Sequence, residues 1–399
     1  MKRMPTLVLA AFFLCALLPA CAAVKSDQAR LNATLSQPSI NTGTFEQPAG
    51  WQTTAVRNVI LMIGDGMGVN HIWLSRIAAT GAHGRLNMEC MPVSGLVTTY
   101  SATNLKTDSA AAATALATGR KTANGMISVL PNGTRLKTLF EKAEERQMAT
   151  GLIVTKTVTD ATPAAFCAHN TSRDDQYAIA VDILAHGIEV IMGGGRKYWL
   201  PTAKGGGRTD GRDLTALATQ KGYRFITDRQ ELEDLRTLPV LGLWAENNLD
   251  EEGDQPTLAA MTAKATQLLS REPGGFFLLV EGSQIDTSSH RHDAAEVVQR
   301  VLGFDTAVKE AMTFAARDGH TLVIVTADHE TGGLVVLDGP ERPEISWASF
   351  DHSSTPVAIF AYGPGSSDFS GMIDNTEVAL RIARLLGFTP FPENHPPAP

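Results

Sequence analysis

Cysteine is scarce: four of the 399 residues are cysteine, and only Cys90 and Cys167 lie clear of the N-terminal segment. That excludes a disulfide-built scaffold and a cysteine-ligated zinc site, and leaves a single Cys90 to Cys167 pairing open. An excess of positive charge is also missing. The formal charge is −8, and it becomes more negative if Lys2 and Arg3 leave with a leader, so nucleic-acid binding through a basic surface is excluded. Long apolar runs are absent beyond the N-terminus, so no later segment is fit to span a membrane. The one early run, residues 6–18, is too short for a span, follows Lys2 and Arg3, and precedes small residues. It makes residues 1–20 a signal peptide, and an exported protein, periplasmic or secreted, is expected. Leu18-Pro19-Ala20-Cys21 resembles a lipobox, in which Cys21 would carry a lipid anchor to the outer membrane. Plain cleavage after Ala22 is the other reading.

What is present is a globular composition, 43% hydrophobic and 19% charged, in a chain long enough for one large domain. Residues 21–50 are polar and read as a tether; residues 51–389 form the folded domain; residues 390–399 hold five prolines and read as an extended tail. Continuous apolar runs at residues 59–63, 150–155, 276–280, 321–326 and 357–361 each lead into a loop rich in Gly, Asp, Thr or Ser, as buried parallel strands do. Helical patterns at residues 110–118, 174–186, 294–316 and 377–386 lie between them. The alternation predicts a doubly wound α/β domain: a mostly parallel central sheet with helices on both faces. Residues 198–255, with Gly205-Gly206-Gly207 and scattered charges, read as a loop-rich insertion.

The chemistry gathers where strands end, the edge at which open α/β sheets bind ligands. Asp65, Glu281, Asp286, Asp328 and His329 all follow strands. Asp286 and His290 are four apart, on one face if helical, and with His352 they would make a three-ligand zinc site with an open position. Asp65, Asp328 and His329 could make a second. The hard oxygens of Asp65, Thr162 and Glu281 suit magnesium. Ser109 sits at the N-terminus of an alanine-rich helix that Gly119 ends, where free N–H groups and the helix dipole favour an anion such as phosphate. Each residue has an ordinary alternative: Ser109 as N-cap, each Asp as a turn residue, each His as a hydrogen-bonded core residue. His71, His83, His186, His320 and His395 fit that alternative, while His169 and His292 stand close enough to the proposed sites to support them from behind.

In their order, Gly64-Asp65-Gly66-Met67-Gly68, Thr107-Asp108-Ser109-Ala110, Asp160-Ala161-Thr162-Pro163-Ala164, Glu281-Gly282-Ser283-Gln284-Ile285-Asp286 with His290, and Thr326-Ala327-Asp328-His329 resemble the motifs of the alkaline phosphatases. The resemblance covers roughly residues 58–386. It implies hydrolysis of phosphate monoesters through a phosphoserine at Ser109. It implies one zinc on Asp286, His290 and His352, a second on Asp65, Asp328 and His329, and magnesium on Asp65, Thr162 and Glu281. Arg173 falls where the family clamps phosphate, with Asp108 orienting it, and a homodimer is the family's habit. A phosphodiesterase would keep the zinc ligands without the arginine, a sulfatase would need a different motif around Ser109, and a non-enzymatic phosphate- or metal-binding protein would not need so many metal ligands at one edge. One departure stands out: after Asp286 the family carries lysine or histidine, and this chain has Thr287. Asp160 is therefore expected to lack one cationic neighbour, with phosphate bound less tightly and magnesium, free of a competing ammonium, held more firmly, unless another residue, such as Arg291 or His292, fills the space and restores the charge.

Overall fold

A computed structural model describes residues 30–31, 54–251, 253–338 and 343–393. The signal peptide, Cys21, almost all of the tether and the end of the tail lie outside the described residues. The strands are β1 (Asn58–Gly64), β2 (Val93–Thr98), β3 (Ala149–Thr157), β4 (Val190–Gly194), β5 (Arg224–Ile226), β6 (Val240–Leu243) and β7 (Phe276–Gly282). They continue with β8 (Thr321–Thr326), β9 (Glu330–Thr331), β10 (Leu334–Leu337), β11 (Glu344–Trp347), β12 (His352–Ser353), β13 (Val357–Tyr362) and β14 (Gly371–Asp374). Ten of them form one sheet in the order β14-β2-β13-β8-β1-β7-β3-β4-β6-β5. β1, β7 and β8 are buried along their whole length, as apolar runs covered on both faces must be.

Every pairing in this sheet is parallel except those of β13, which runs antiparallel to both β8 and β2. That reversal matters for the site. The parallel strands deliver their following loops to the carboxyl edge, whereas a reversed strand receives its preceding loop there, so His352 reaches that edge from the loop before β13. β12 then pairs with β9, with His352 opposite Thr331. The segment 198–255, expected as loops, also carries β5 and β6, which extend the sheet at one end. β5 is three residues led by an arginine, and β6, Val240-Leu241-Gly242-Leu243, is four residues broken by a glycine, too short to stand out as a run.

The helices are α1 (Val69–Thr80), α2 (Ser109–Thr118), α3 (Leu139–Glu145), α4 (Ala161–Cys167), α5 (Gln176–His186) and α6 (Leu214–Gln220). The others are α7 (Arg229–Asp234), α8 (Leu258–Leu269), α9 (Gln284–His290), α10 (Ala294–Asp318) and α11 (Asn375–Leu385). α10 buries Val297, Val301, Phe304, Val308, Met312 and Ala315, a helical stripe, against β1, β7 and β8 and against α1 and α8. α3 and α4 pack on β3 and β7, and α2 packs on α4 and α11. In α2 every residue is buried. Alanine there leaves room for close helix contacts, and Gly119, left-handed at φ 68°, closes the helix by donating its N–H to the Ala115 carbonyl.

Among the described residues no helix is long and apolar enough to cross a membrane. Cys90 and Cys167 are both free, so the pairing left open by the sequence does not form. One aromatic cluster ties sheet to helices: the Phe277 ring lies 5.4 Å from Phe140 and 6.4 Å from Phe166, and all three are fully buried. Phe277→Ala should therefore lower unfolding free energy by about 3–5 kcal/mol through lost burial and the cavity left behind. Denaturant unfolding, with the slope checked for change, measures it.

Candidate active site

Asp65 follows β1, Glu281 is the penultimate residue of β7, Asp328 and His329 follow β8, and α9 begins one residue after β7. β7 and β8 flank β1 on either side. These neighbouring strands bring two compact trios together. Asp286, His290 and His352 converge, with His290 Nε2 3.1 Å and His352 Nε2 3.5 Å from Asp286 Oδ1, and the two Nε2 atoms 3.2 Å apart. Asp65, Asp328 and His329 converge likewise, with His329 Nε2 3.2 Å from Asp328 Oδ2 and 3.6 Å from Asp65 Oδ1.

All three histidines are oriented the same way by their outer nitrogens. His290 Nδ1 donates to the Phe350 carbonyl at 2.6 Å, and His352 Nδ1 donates to the Thr107 carbonyl at 2.9 Å. The Thr331 hydroxyl donates to Asp286 Oδ1 at 2.8 Å and so accepts from His329 Nδ1 at 3.3 Å. Each Nδ1 is engaged as a donor, so each Nε2 faces inward and is the nitrogen a metal would take. Burial holds His329 neutral, near pKa 3. At His352 burial is outweighed by Asp286 and the Thr107 carbonyl, which raise it to about 9, so a metal taken up there displaces a proton.

The carboxylates show what is missing from a protein-only site. Asp65 Oδ1, Asp328 Oδ2 and both Glu281 oxygens are buried without a hydrogen-bond partner. Burial pushes Asp65 to about 7 and Asp328 to about 6, and burial with the neighbouring Asp65 and Asp160 charges holds Glu281 well above the usual carboxylate range. Orphaned oxygens in such numbers are costly unless a cation meets them. The donor sets fit the ions inferred from sequence: imidazole with carboxylate for zinc in both trios, and hard oxygen alone, from Asp65, Glu281 and the buried Thr162 of α4, for magnesium.

Ser109 is the first residue of α2, and Asp108 is its cap, accepting from the Ala111 N–H at 3.0 Å. The expectation of Ser109 as a mere cap is thereby displaced, since its hydroxyl is free to lie 3.2 Å from His329 Nε2. Arg173 stands between two carboxylates, Nη1 3.3 Å from Asp108 Oδ2 and Nη2 3.4 Å from Asp160 Oδ1. Asp160 occupies the N-cap position of α4 without using its side chain as a cap.

A model of the family described as alkaline phosphatase matches residues 56–339 and 339–388. The chain belongs to the alkaline phosphatase family. It is 34% identical to alkaline phosphatase 4 of Bacillus subtilis, a match covering 83% of this chain and 89% of that one. The alkaline phosphatase of the Antarctic bacterium TAB5 is 33% identical and superposes with a TM-score of 0.76 over 84% of this chain and 98% of that one. A variant of that enzyme with magnesium in its M3 site superposes at 0.75, at 33% identity, over 84% and 99%. The protein is thus a phosphomonoesterase, with two residue trios fit to hold metal.

Two residues of this phosphatase were not foreseen. Thr331 links a ligand of each trio, a role hidden in a sequence because a threonine two positions after His329 has many ordinary uses. Lys156, near the end of β3, puts its Nζ 2.8 Å from Asp65 Oδ2, 3.3 Å from Asp286 Oδ2 and 3.9 Å from Asp160 Oδ2. A lysine ending an otherwise buried strand was the available signal. It supplies the alternative left open at Thr287, another residue filling the space: Asp160 has cationic neighbours in Lys156 and Arg173. Neither proposed substitute is the source, because Arg291 pairs with Glu296 and His292 stacks between Trp347 and Phe350. His169 is also elsewhere, bonded to Arg135 and Leu136.

Thr331→Val, similar in shape without the hydroxyl, should weaken zinc binding by roughly 10–100-fold, since it frees a ligand in both trios. Competition with a chromophoric chelator reads the change. Arg173→Ala should weaken inhibition by inorganic phosphate and lower kcat/KM on an aryl phosphate monoester by roughly 100-fold, with a smaller loss on the matching diester. Equal losses on both substrates would remove Arg173 from phosphate recognition.

Proposed function

We propose that this alkaline phosphatase hydrolyses phosphate monoesters through a phosphoserine at Ser109, with two zinc ions and one magnesium. The observation that carries the reading is the Ser109 hydroxyl, 3.2 Å from the Nε2 of a histidine in one of the two ligand trios. Asp286, His290 and His352 would hold one zinc, Asp65, Asp328 and His329 the second, and Asp65, Thr162 and Glu281 the magnesium. Bound zinc supplies Lewis acidity, lowering the pKa of a hydroxyl or water and stabilising a leaving oxygen.

The rest is done by the chain itself. The ester phosphate lies at the N-terminus of α2, whose dipole favours its charge. Arg173, held by Asp108 and Asp160, offers two parallel N–H donors to the phosphoryl oxygens. Ser109 Oγ attacks phosphorus in line, the bond to the alcohol oxygen breaks, and the alcohol leaves having gained a proton. Water then attacks the phosphoserine from the vacated side and frees phosphate and Ser109. A monoester brings more anionic oxygens than a diester for Arg173 to meet, which favours monoesters over diesters.

The signal-peptide pattern and Cys21 support an exported protein, lipid-anchored if the lipobox is used, and family habit supports a homodimer. The test is trapping. Wild type incubated with labelled phosphate monoester and quenched in acid should retain label, and Ser109→Ala should retain none and lose most activity. Label on another residue would sink the nucleophile assignment. Metal analysis of protein equilibrated with zinc and saturating magnesium should find two zinc ions and one magnesium per chain.

A further inference from the structure

The two trios do not use all of their carboxylate oxygens. Asp286 turns Oδ1 toward His290 and His352, and Asp65 turns Oδ1 toward His329. The oxygens left over, Oδ2 of each, both face the Lys156 ammonium, at 3.3 Å and 2.8 Å. The third carboxylate in its reach, Asp160, is the only one of the three that also meets Arg173.

Lys156 arrives there by strand geometry. Side chains alternate along β3, so Thr155, which accepts the Ser283 N–H, and Thr157, which bonds Gln176, lie to one side while Lys156 lies to the other. Its side chain is 12% exposed. An ammonium so enclosed stays only because three carboxylates from β1, α9 and the start of α4 surround it.

We propose that Lys156 is a protein-supplied cation of the metal centre, compatible with both zinc trios and in competition with magnesium for Asp65 Oδ2. The inference rests on the assignment of magnesium to Asp65, Thr162 and Glu281. With Asp65 Oδ1 turned to the second trio, Oδ2 is what Asp65 has left for a third ion, and the ammonium is already on it. A divalent ion must displace that ammonium or share the oxygen with it, and like charges within a few Å repel strongly where water is scarce. Magnesium affinity is therefore held low by the chain itself, while Glu281, whose oxygens have no partner, keeps the site from being closed to magnesium altogether.

The experiment is magnesium titration of the zinc-loaded full chain by calorimetry, with zinc and magnesium counted by elemental analysis. Lys156→Met, which keeps length and removes charge, should bind magnesium at least tenfold more tightly with zinc content unchanged. Lys156→Arg, which keeps charge, should stay close to wild type. An affinity in Lys156→Met within twofold of wild type overturns the proposal, as does an equal gain in Lys156→Arg, which would make the effect one of space. If Lys156→Met fails to take up zinc, the wild type decides: the Nζ resonance of Lys156 in nitrogen-labelled protein should shift as magnesium saturates, and a resonance that does not move overturns the competition. Zinc loading and monoester hydrolysis with no saturable magnesium in wild type or Lys156→Met would instead remove the magnesium assignment and this proposal with it, leaving the phosphatase reading intact.

Discussion

Concentrated negative charge at one edge of the sheet is the constraint from which the rest follows. Asp65, Glu281, Asp286 and Asp328 are all buried there, close enough to perturb one another. No folded domain tolerates such a group without cations, so the edge must bind metal, recruit basic side chains, or hold protons. This protein provides for all three. Imidazoles and orphaned oxygens are turned inward for metal, Lys156 and Arg173 are recruited, and Asp65 and Asp328 are held near neutrality when nothing else arrives. The same charge that makes the edge expensive makes it a phosphate site once metal reverses its sign.

The topology makes this affordable for a chain of this length. Adjacent strands β7, β1 and β8 each carry an acidic residue at or just past their carboxyl ends, Glu281, Asp65 and Asp328, so three neighbours in the sheet become neighbours in the site. The ligand a parallel sheet could not easily supply, His352, comes from ahead of the reversed strand β13. The small-residue helix α2 lets Ser109 stand against this edge, because nothing bulky on α2 keeps it away from α4 and α11.

Much of this was legible in the sequence, for identifiable reasons. β1, β3, β7, β8 and β13 announce themselves as continuous apolar runs because both faces are covered, and the ligands stand directly behind them in short loops. Asp286 and His290 could be paired by helical spacing alone. β5, β6 and β14 are edge or near-edge strands of only three or four residues, too short for periodicity to reveal them. Lys156 and Thr331 escaped for another reason: their roles are contacts between segments far apart in the chain, Lys156 with Asp65 and Asp286, Thr331 with Asp286. The residue that restores charge beside Asp160 escaped at the same point: the examples named for it, Arg291 and His292, stand near Thr287 in sequence, whereas Lys156 comes from a different strand.

The hydrogen bond from His352 to the Thr107 carbonyl ties one imidazole of a trio to the backbone two residues before Ser109. The proposed nucleophile and the proposed zinc ligand therefore share one mechanical reference: a loop movement that displaced Ser109 would drag the imidazole with it. Their mutual alignment is carried by the covalent chain and one hydrogen bond of 2.9 Å, so it depends on residues 107–109 alone and on no contact with the surrounding rim.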